Sequence, residues 1–357
     1  MTDSSINMAA SLTTHDREYL KRALQLAGGG RGRVSPNPLV GAVIVRDGEV
    51  IGEGFHAELG DLHAERAALA DCRERGEDPR GATMYVTLEP CAHQGRQPPC
   101  TEAVLEAGIG KVVIGSDDPS EKAAGRGPGI LRDGGVEVEL ATGEEATAAR
   151  LLNQPFRKHA RTGLPLVTLK LAMSLDGETE TPPGDSSWIS SGESQQLVHH
   201  WRAESDAIAV GIGTVLADDP LLTARIPDAR QPVRVVFDRQ ARLPLGSQLM
   251  STLEQSPVLV VAGQDADSSR TAALRDAGAE VLIADGIDSA LSGLGRRGVT
   301  SLFLEGGRML AAAFAEAGQI DESRVFVAPI LLGGGRRLPA VDPNAEDTLI
   351  ATRFREW

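Results

Sequence analysis

Residues 63–65 read His-Ala-Glu, and residues 89–100 read Glu-Pro-Cys-Ala-His-Gln-Gly-Arg-Gln-Pro-Pro-Cys. One imidazole and two thiols in these stretches, from His63, Cys91 and Cys100, form a ligand set that suits Zn2+. Three protein ligands leave the fourth tetrahedral position of zinc open, and open zinc sites are catalytic. We therefore expect a catalytic zinc site in the first half of the chain.

Glu65 follows the ligand His63 by two residues, at the predicted start of a helix over residues 63–72. Zinc lowers the pKa of a bound water to about 7, and Glu65 is placed to shuttle protons from that water. Attack on an amidine carbon needs proton transfers to the ring nitrogen and to the leaving amine. A His-x-Glu and Pro-Cys signature is typical of zinc deaminases, so the motif predicts deamination of a pyrimidine-type ring.

A structural zinc site is the alternative, because histidine and cysteine also build closed sites with four ligands. His56, His93 or Cys72 could supply the fourth ligand. Free cysteines also lie inert in protein cores, and we expect this of Cys72. Three cysteines are an odd number and a poor basis for a disulfide framework.

The length of 357 residues exceeds the roughly 250–300 residues at which single cores stop growing, so two domains are expected. Strand and helix patterns alternate in both halves, which predicts α/β layers. A helical stretch at 144–158 precedes a Gly-Leu-Pro turn, and we place the domains at 14–158 and 162–357. Strands of the second domain are predicted at 166–171, 207–210, 233–237, 258–261, 280–283 and 301–304. No strand is evident between Gly335 and Trp357.

The formal net charge of −14 argues against an extended nucleic-acid interface, which is normally basic. A small, nucleotide-like substrate is the expected partner. The first residues lack a basic segment followed by an apolar one, and no stretch is long and apolar enough for a bilayer. We expect a cytoplasmic protein without a membrane partner.

Two further features of the sequence point to one family. Residues 35–41 read Ser-Pro-Asn-Pro-Leu-Val-Gly, and the step of nine residues from Cys91 to Cys100 exceeds the two-residue spacer of cytidine and tRNA-adenosine deaminases. With these features the chain resembles the riboflavin-biosynthesis bifunctional deaminase/reductase family over nearly its whole length. The resemblance implies an N-terminal cytidine-deaminase-like three-layer α/β/α domain and a C-terminal dihydrofolate-reductase-like α/β domain.

The resemblance also implies two consecutive reactions. The first is zinc-dependent deamination of 2,5-diamino-6-ribosylamino-4(3H)-pyrimidinone 5′-phosphate. The second is reduction of the ribosyl group to ribityl with NADPH, which gives 5-amino-6-ribitylamino-uracil 5′-phosphate. By analogy with such enzymes we expect a homo-oligomer.

The resemblance places four substrate contacts in the first domain, at Asn37, His56, His93 and Arg96. The amide of Asn37 offers a donor and an acceptor to the pyrimidine, and Arg96 suits a phosphate. Considered without the family, Asn37 between two prolines is a turn former, and the other three are solvated loop residues.

Residues 169–177 resemble the first strand and turn of the family's reductase domain. The resemblance assigns cofactor contacts to Ala172, Trp188, Thr214 and Asp218, and substrate contacts to Ser186, Arg202, Leu222 and Arg225. Arg202 and Arg225 could together clamp the 5′-phosphate. Without the family, Trp188 is a core residue and the motif Gly211-Ile-Gly213 is a weak one, more often a turn.

Residues 304–310 read Leu-Glu-Gly-Gly-Arg-Met-Leu, a predicted strand end followed by a glycine turn that opens a helix. Free backbone N–H groups at a helix start suit a pyrophosphate. We expect cofactor contacts from Gly307, Arg308, Met309 and Leu310, and the resemblance makes Glu305 a substrate contact. A plain strand-to-helix turn is the alternative.

Three rival hypotheses remain from the sequence. The second domain could be a degenerate partner of an active deaminase. The chain could instead be a nucleotide-binding or scaffolding protein with a structural zinc ion. A polynucleotide deaminase is disfavoured by the acidic charge and by the long spacer from Cys91 to Cys100.

Overall fold

The structure is a computed structural model that describes residues 12–95, 97–121, 123, 125–179, 189–332 and 346–357. The chain divides after Thr162 into two compact units, and Trp357 groups with the first. In the described residues, no helix combines the length and apolar character needed to cross a membrane.

A five-stranded sheet forms the centre of the first unit. Its strands are β1 (Gly41–Arg46), β2 (Glu49–Phe55), β3 (Thr83–Val86), β4 (Lys111–Ile114) and β5 (Glu137–Leu140). Its helices are α1 (Thr14–Ala27), α2 (Ala64–Glu74), α3 (Cys100–Glu106), α4 (Arg126–Asp133), α5 (Gly143–Leu152) and α6 (Gln154–Thr162). The strand order is β2-β1-β3-β4-β5, in which β1 runs antiparallel to both neighbours and β3, β4 and β5 run parallel.

Alternation along β1 explains why helices cover both faces of this sheet. Ala42 and Ile44 pack into one buried cluster with residues of α2, α3 and α4. Val43 packs into a second cluster with Leu20 and Ala23 of α1. Successive strand residues point to opposite faces, so each face of β1 needs its own helical layer. The three-layer α/β/α prediction for the first domain is confirmed.

An eight-stranded sheet forms the centre of the second unit. Its strands are β6 (Leu166–Ser174), β7 (Ala207–Gly211), β8 (Val233–Phe237), β9 (Val258–Ala262), β10 (Glu280–Ile283), β11 (Ser301–Leu304), β12 (Glu322–Ala328) and β13 (Thr348–Arg353). Its helices are α7 (Gly192–Glu204), α8 (Ile212–Asp218), α9 (Gln248–Ser251), α10 (Ser268–Asp276), α11 (Ile287–Gly295) and α12 (Arg308–Glu316). The order is β10-β9-β8-β7-β11-β6-β12-β13, parallel except at β13.

The central strands of the second sheet are buried on both faces. Along β7, Ile208 and Val210 face a cluster with residues of α7 and α10, whereas Ala207 and Ala209 face a cluster with residues of α11 and α12. Parallel strands covered by helices on both sides read as continuous apolar runs, which is the pattern seen in the sequence. The α/β prediction for the second domain is confirmed.

Two predictions about elements near the domain ends need correction. The prediction that no strand lies between Gly335 and Trp357 is wrong, because β13 lies there and pairs antiparallel with β12. All residues of β13 are exposed at the sheet edge, so the strand lacks the apolar alternation that reveals strands in a sequence. The single helical stretch at 144–158 is two helices, α5 and α6, which meet at Asn153.

Candidate active sites

Three side chains with metal-binding atoms meet in the first unit. His63 immediately precedes α2, Cys91 lies in the loop after β3, and Cys100 is the first residue of α3. Their ligand atoms all lie within 4.8 Å of one another. His63 Nδ1 lies 3.6 Å from the Cys91 sulfur and 3.3 Å from the Cys100 sulfur. The fold thus brings together the three residues that the sequence analysis names as ligands.

The protonation states of this group suit a divalent cation. Hydrogen bonds from Cys100 and then His63 lower the pKa of Cys91 to about 4, against the effect of burial. The hydrogen bond with Cys91, followed by burial, raises the pKa of the Cys100 thiol. Two thiolates side by side repel each other unless a cation lies between them. Two sulfurs and one imidazole nitrogen at this spacing therefore fit zinc.

The possible fourth ligands do not join this group. Among the residues that the structure describes, the metal-binding cluster contains only His63, Cys91 and Cys100. Both ring nitrogens of His56 have other partners, Asn37 and the Leu62 carbonyl. Cys72 is fully buried in the core of the first unit, and burial raises the pKa of its thiol to about 11. The cluster therefore has the three-ligand form of an open site.

Glu65 lies in the first turn of α2 with 3% of its surface exposed. Burial is the largest cause that raises the pKa of its carboxyl to about 7, and the charge of Cys91 acts in the same direction. A hydrogen bond with Cys100 places the carboxyl beside the ligand cluster. A carboxyl whose pKa is near neutral pH can both accept and release a proton there.

Asn37 and His56 form a hydrogen-bonded pair near the cluster. The Asn37 Nδ2 and His56 Nε2 atoms lie 3.1 Å apart, and His56 Nδ1 lies 3.1 Å from the Leu62 carbonyl. A carbonyl only accepts, so Nδ1 carries the proton and Nε2 accepts from the Asn37 amide. Burial lowers the pKa of His56, which favours this neutral ring. The pair leaves the Asn37 amide oxygen as an acceptor for a substrate. The His56 ring also packs edge-on against His63.

Two buried side chains that the sequence analysis missed hold the loops of this site. The Asn153 amide accepts from Leu39 N–H at 2.8 Å and donates to the Leu39 carbonyl at 2.9 Å, two residues beyond Asn37. The Glu89 carboxylate accepts from the backbone N–H groups of Gly125 and Gly127. Each polar side chain lies far along the chain from its partner, so no local pattern could reveal the contact.

His93 lies in the ligand loop with a buried Nδ1 atom that has no hydrogen-bond partner among the described residues. Most buried polar side-chain atoms in proteins have a hydrogen-bond partner, so this atom is a candidate contact for a bound ligand. Arg96, predicted in the same loop, lies outside the described residues, as do Ser186 and Trp188 of the second unit.

The predicted cofactor turns of the second unit lie side by side. Strands β7, β11 and β6 are parallel neighbours, so their carboxyl ends share one edge of the sheet. A Cβ atom built on Gly211 would lie 3.8 Å from Leu310, and one on Gly307 would lie 3.9 Å from Thr214 Oγ1. Helices α8 and α12 therefore begin next to each other, and two adjacent helix N-termini suit a pyrophosphate.

The other predicted cofactor residues occupy the same edge or its flanks. Ala172 lies in the carboxyl-terminal half of β6 and is half-buried. Asp218 ends α8 and is exposed, and Met309 in the first turn of α12 is 89% exposed. Such exposure leaves both side chains open to a ligand.

Arg202 and Glu305 form a bidentate ion pair at this edge. Nitrogens Nε and Nη2 of Arg202 lie 2.7 and 2.9 Å from the two carboxylate oxygens of Glu305. The Arg202 side chain is 12% exposed and the Glu305 side chain 9%. Lys170 of β6 interacts electrostatically with both residues, and burial lowers the pKa of its amino group. Arg202, predicted as half of a phosphate clamp, thus already has a carboxylate partner.

Two family models match the chain. The model for the cytidine and deoxycytidylate deaminase zinc-binding region matches residues 13–116, and the model for the RibD C-terminal domain matches residues 165–355. Together with the zinc-type cluster, they define the class of protein: a zinc-binding deaminase domain followed by a reductase domain in one chain.

Relatives with the same two domains extend over nearly the whole chain. The riboflavin biosynthesis protein RibD of Actinobacillus pleuropneumoniae is 43% identical over 90% of this chain and 86% of its own length. The RibD protein of Escherichia coli is 39% identical over 95% of both chains. The chain belongs to the RibD family of bifunctional riboflavin biosynthesis proteins.

Solved structures agree with this assignment. The first form of Acinetobacter baumannii RibD superimposes with a TM-score of 0.81 and 41% identity, covering 90% of this chain and 89% of that one. A Thermotoga maritima diaminohydroxyphosphoribosylaminopyrimidine deaminase/5-amino-6-(5-phosphoribosylamino)uracil reductase gives a TM-score of 0.83 at 36% identity, with 95% and 98% coverage. The predicted family, enzyme classes and cofactors, zinc and NADPH, are confirmed.

Proposed function

We propose that this chain deaminates 2,5-diamino-6-ribosylamino-4(3H)-pyrimidinone 5′-phosphate at the cluster of His63, Cys91 and Cys100, and then reduces the product with NADPH in the second unit. The observation that supports the first step is the convergence of three ligand atoms with the near-neutral carboxyl of Glu65. The observation that supports the second is the paired helix starts beside Glu305.

Glu65 is the proton shuttle of the deamination. His63, Cys91 and Cys100 would hold the zinc ion, which would make a bound water acidic enough to act as a nucleophile at neutral pH. The Glu65 carboxylate accepts a proton from the water and delivers it to the ring nitrogen, then carries the second proton to the amine. The carbon–nitrogen bond breaks, ammonia leaves and a ring carbonyl remains. Glu65 is buried, so its carboxyl has little contact with bulk solvent.

The proposed substrate contacts in the first unit are Asn37, His56, His93 and Arg96. The His56 ring fixes the Asn37 amide so that its oxygen can accept from an amino group of the pyrimidine. The unpartnered Nδ1 of His93 is available to a polar group of the substrate. Arg96 is assigned to the phosphate because its planar guanidinium donates in pairs.

In the second unit, the turns at Gly211–Thr214 and Gly307–Leu310 hold the cofactor phosphates, with Ala172, Trp188 and Asp218 as further contacts. When bound there, NADPH would supply the hydride for reduction of the ring-opened ribosyl carbon. Ser186, Arg202, Leu222, Arg225 and Glu305 contact the substrate. Arg202 and Arg225 bind the phosphate, and Arg202 also holds Glu305 in place through two hydrogen bonds.

We further propose domain limits of 14–158 and 162–357, a homo-oligomer and a cytoplasmic location. The net charge of −14 supports a small nucleotide-like substrate over a nucleic acid. Light scattering of the purified protein tests the oligomeric state, and cell fractionation tests the location.

One assay tests the two reactions together. With the diaminopyrimidine phosphate and NADPH in one tube, we expect one ammonia released and one NADPH oxidised per substrate consumed. Ammonia release is measured with a coupled dehydrogenase in a parallel sample, and NADPH oxidation by absorbance. Ammonia without NADPH oxidation would instead support the hypothesis of a degenerate second domain.

Replacing Asn37 by Ala should raise the deaminase KM about tenfold or more, because the amide hydrogen bond to the pyrimidine is lost. Steady-state ammonia release measures the change. Gln94, exposed in the ligand loop, gives the control Gln94→Ala, which should leave KM within about twofold of the parent. An unchanged KM in Asn37→Ala would contradict the substrate contact and leave Asn37 with a role in the turn alone.

A further inference from the structure

In the second unit, the backbone of residues 223–225 is held by hydrogen bonds with side chains rather than by those of a helix or sheet. Arg202 Nη1 donates to the Thr223 carbonyl at 3.2 Å. The Gln231 amide accepts from Ala224 N–H and donates to the Ala224 carbonyl, both at 2.9 Å. Gln231 thus pairs with Ala224 as a neighbouring strand would.

His199 of α7 holds the next residue. The Arg225 backbone N–H donates to His199 Nδ1 at 3.3 Å. A ring nitrogen accepts only when it carries no proton. Burial is the largest cause that lowers the pKa of His199, and the charges of Arg202 and Arg225 act in the same direction. The neutral imidazole that this bond requires is therefore the favoured form.

The segment combines a buried anchor with an exposed guanidinium. Leu222, Thr223 and Ala224 are 4%, 7% and 4% exposed, whereas Arg225 is exposed. Leu222 has a φ of 54°, a left-handed conformation that non-glycine residues keep only where their surroundings hold it. The hydrogen bonds of Arg202, Gln231 and His199 with residues 223–225 supply that support.

We propose that His199 and Gln231 are positioning residues that set the Arg225 backbone for binding the substrate's phosphate. This inference rests on the proposed role of Arg225 in the reductase reaction. Neither side chain needs to touch the substrate. A segment that is ordered before binding loses less conformational entropy when the phosphate arrives, so the effect falls on affinity and not on hydride transfer.

The main test uses Gln231→Glu, which keeps the shape but puts an oxygen against the Ala224 carbonyl where an amide nitrogen donated. We expect the reductase KM for the phosphorylated deaminase product to rise about tenfold, with kcat and melting temperature nearly unchanged. The same substrate without its 5′-phosphate should show no such loss. A merely structural defect would lower kcat or affect both substrates alike.

His199 gives an independent test with a rescue. His199→Leu removes the acceptor and should raise KM for the phosphorylated substrate in the same way. His199→Asn places an amide oxygen near the Nδ1 position and should restore KM. His200 is the exposed neighbour of His199 on α7, so His200→Leu is the matched control. Its KM for the phosphorylated substrate should equal that of the parent protein.

Arg225→Met separates failure of the inference from failure of the proposed function. If Arg225→Met raises KM while Gln231→Glu and His199→Leu do not, the positioning role is overturned and Arg225 keeps its assignment. If Arg225→Met leaves KM unchanged, the assignment of Arg225 fails, and the positioning role fails with it. If His199→Leu does not fold, the KM of the isosteric variant Gln231→Glu decides whether the positioning role holds.

Discussion

Replacing Glu65 by Gln should lower kcat for ammonia release about a thousandfold while the protein keeps its zinc. Proton transfer by a positioned side chain contributes roughly 10²–10⁴-fold to a rate. Gln has the shape of Glu and can donate a hydrogen bond, but it cannot carry the proton of the attacking water to the ring. The measurements are steady-state ammonia release and zinc content by elemental analysis.

Glu74→Gln is the matched control, because Glu74 is exposed at the other end of the same helix, α2. It should retain parental activity. NADPH oxidation with the deaminated product as substrate should be unaffected in both variants. A Glu65→Gln enzyme that keeps both its zinc and its ammonia release would contradict the role of Glu65 as proton shuttle.

Replacing Cys91 by Ala should abolish zinc binding and deamination together while the reductase activity persists. Cys91 has the lowered thiol pKa of the cluster, so it supplies the thiolate that draws the cation. Loss of one ligand leaves two, which is too few for a stable zinc site. The reductase should survive because the second unit has its own buried clusters. Zinc content, ammonia release and NADPH oxidation are measured on one preparation.

Cys72→Ala tests whether the effect is specific to the ligand cluster. Cys72 is also a buried thiol of the first unit, but it packs in the core and is not part of the metal-binding group. The variant should keep one zinc per chain and near-parental deamination. Retention of zinc by Cys91→Ala, or its loss from Cys72→Ala, would show that the ligand set is wrong.

The metal-binding cluster and the position of Glu65 beside it could be predicted because their signals are local in the sequence. His63 and Glu65 are two residues apart at a helix start, and the spacing from Cys91 to Cys100 belongs to one loop and the helix that follows. Burial on both faces of the parallel strands also leaves a local trace, the apolar runs that located β7 and β11. The same logic failed at β13, an exposed edge strand.

The contacts that tune both sites could not be predicted, because each joins residues far apart in the chain. Asn153 reaches back to Leu39, and Arg202 engages Glu305. A residue type and its spacing do not say which distant backbone group the side chain will meet after folding. The ion pair with Glu305 is therefore an addition to the predicted role of Arg202 that only the folded chain reveals.

The zinc chemistry, the two α/β domains and the family were thus determined by the sequence alone, since they depend on short spacings and on the periodicity of apolar residues. Only the tertiary structure decided the near-neutral pKa of Glu65, the orientation of the Asn37 amide and the side-chain supports of residues 223–225. Burial and hydrogen bonds between side chains and other parts of the chain exist only once the chain has folded, and these are the causes of all three.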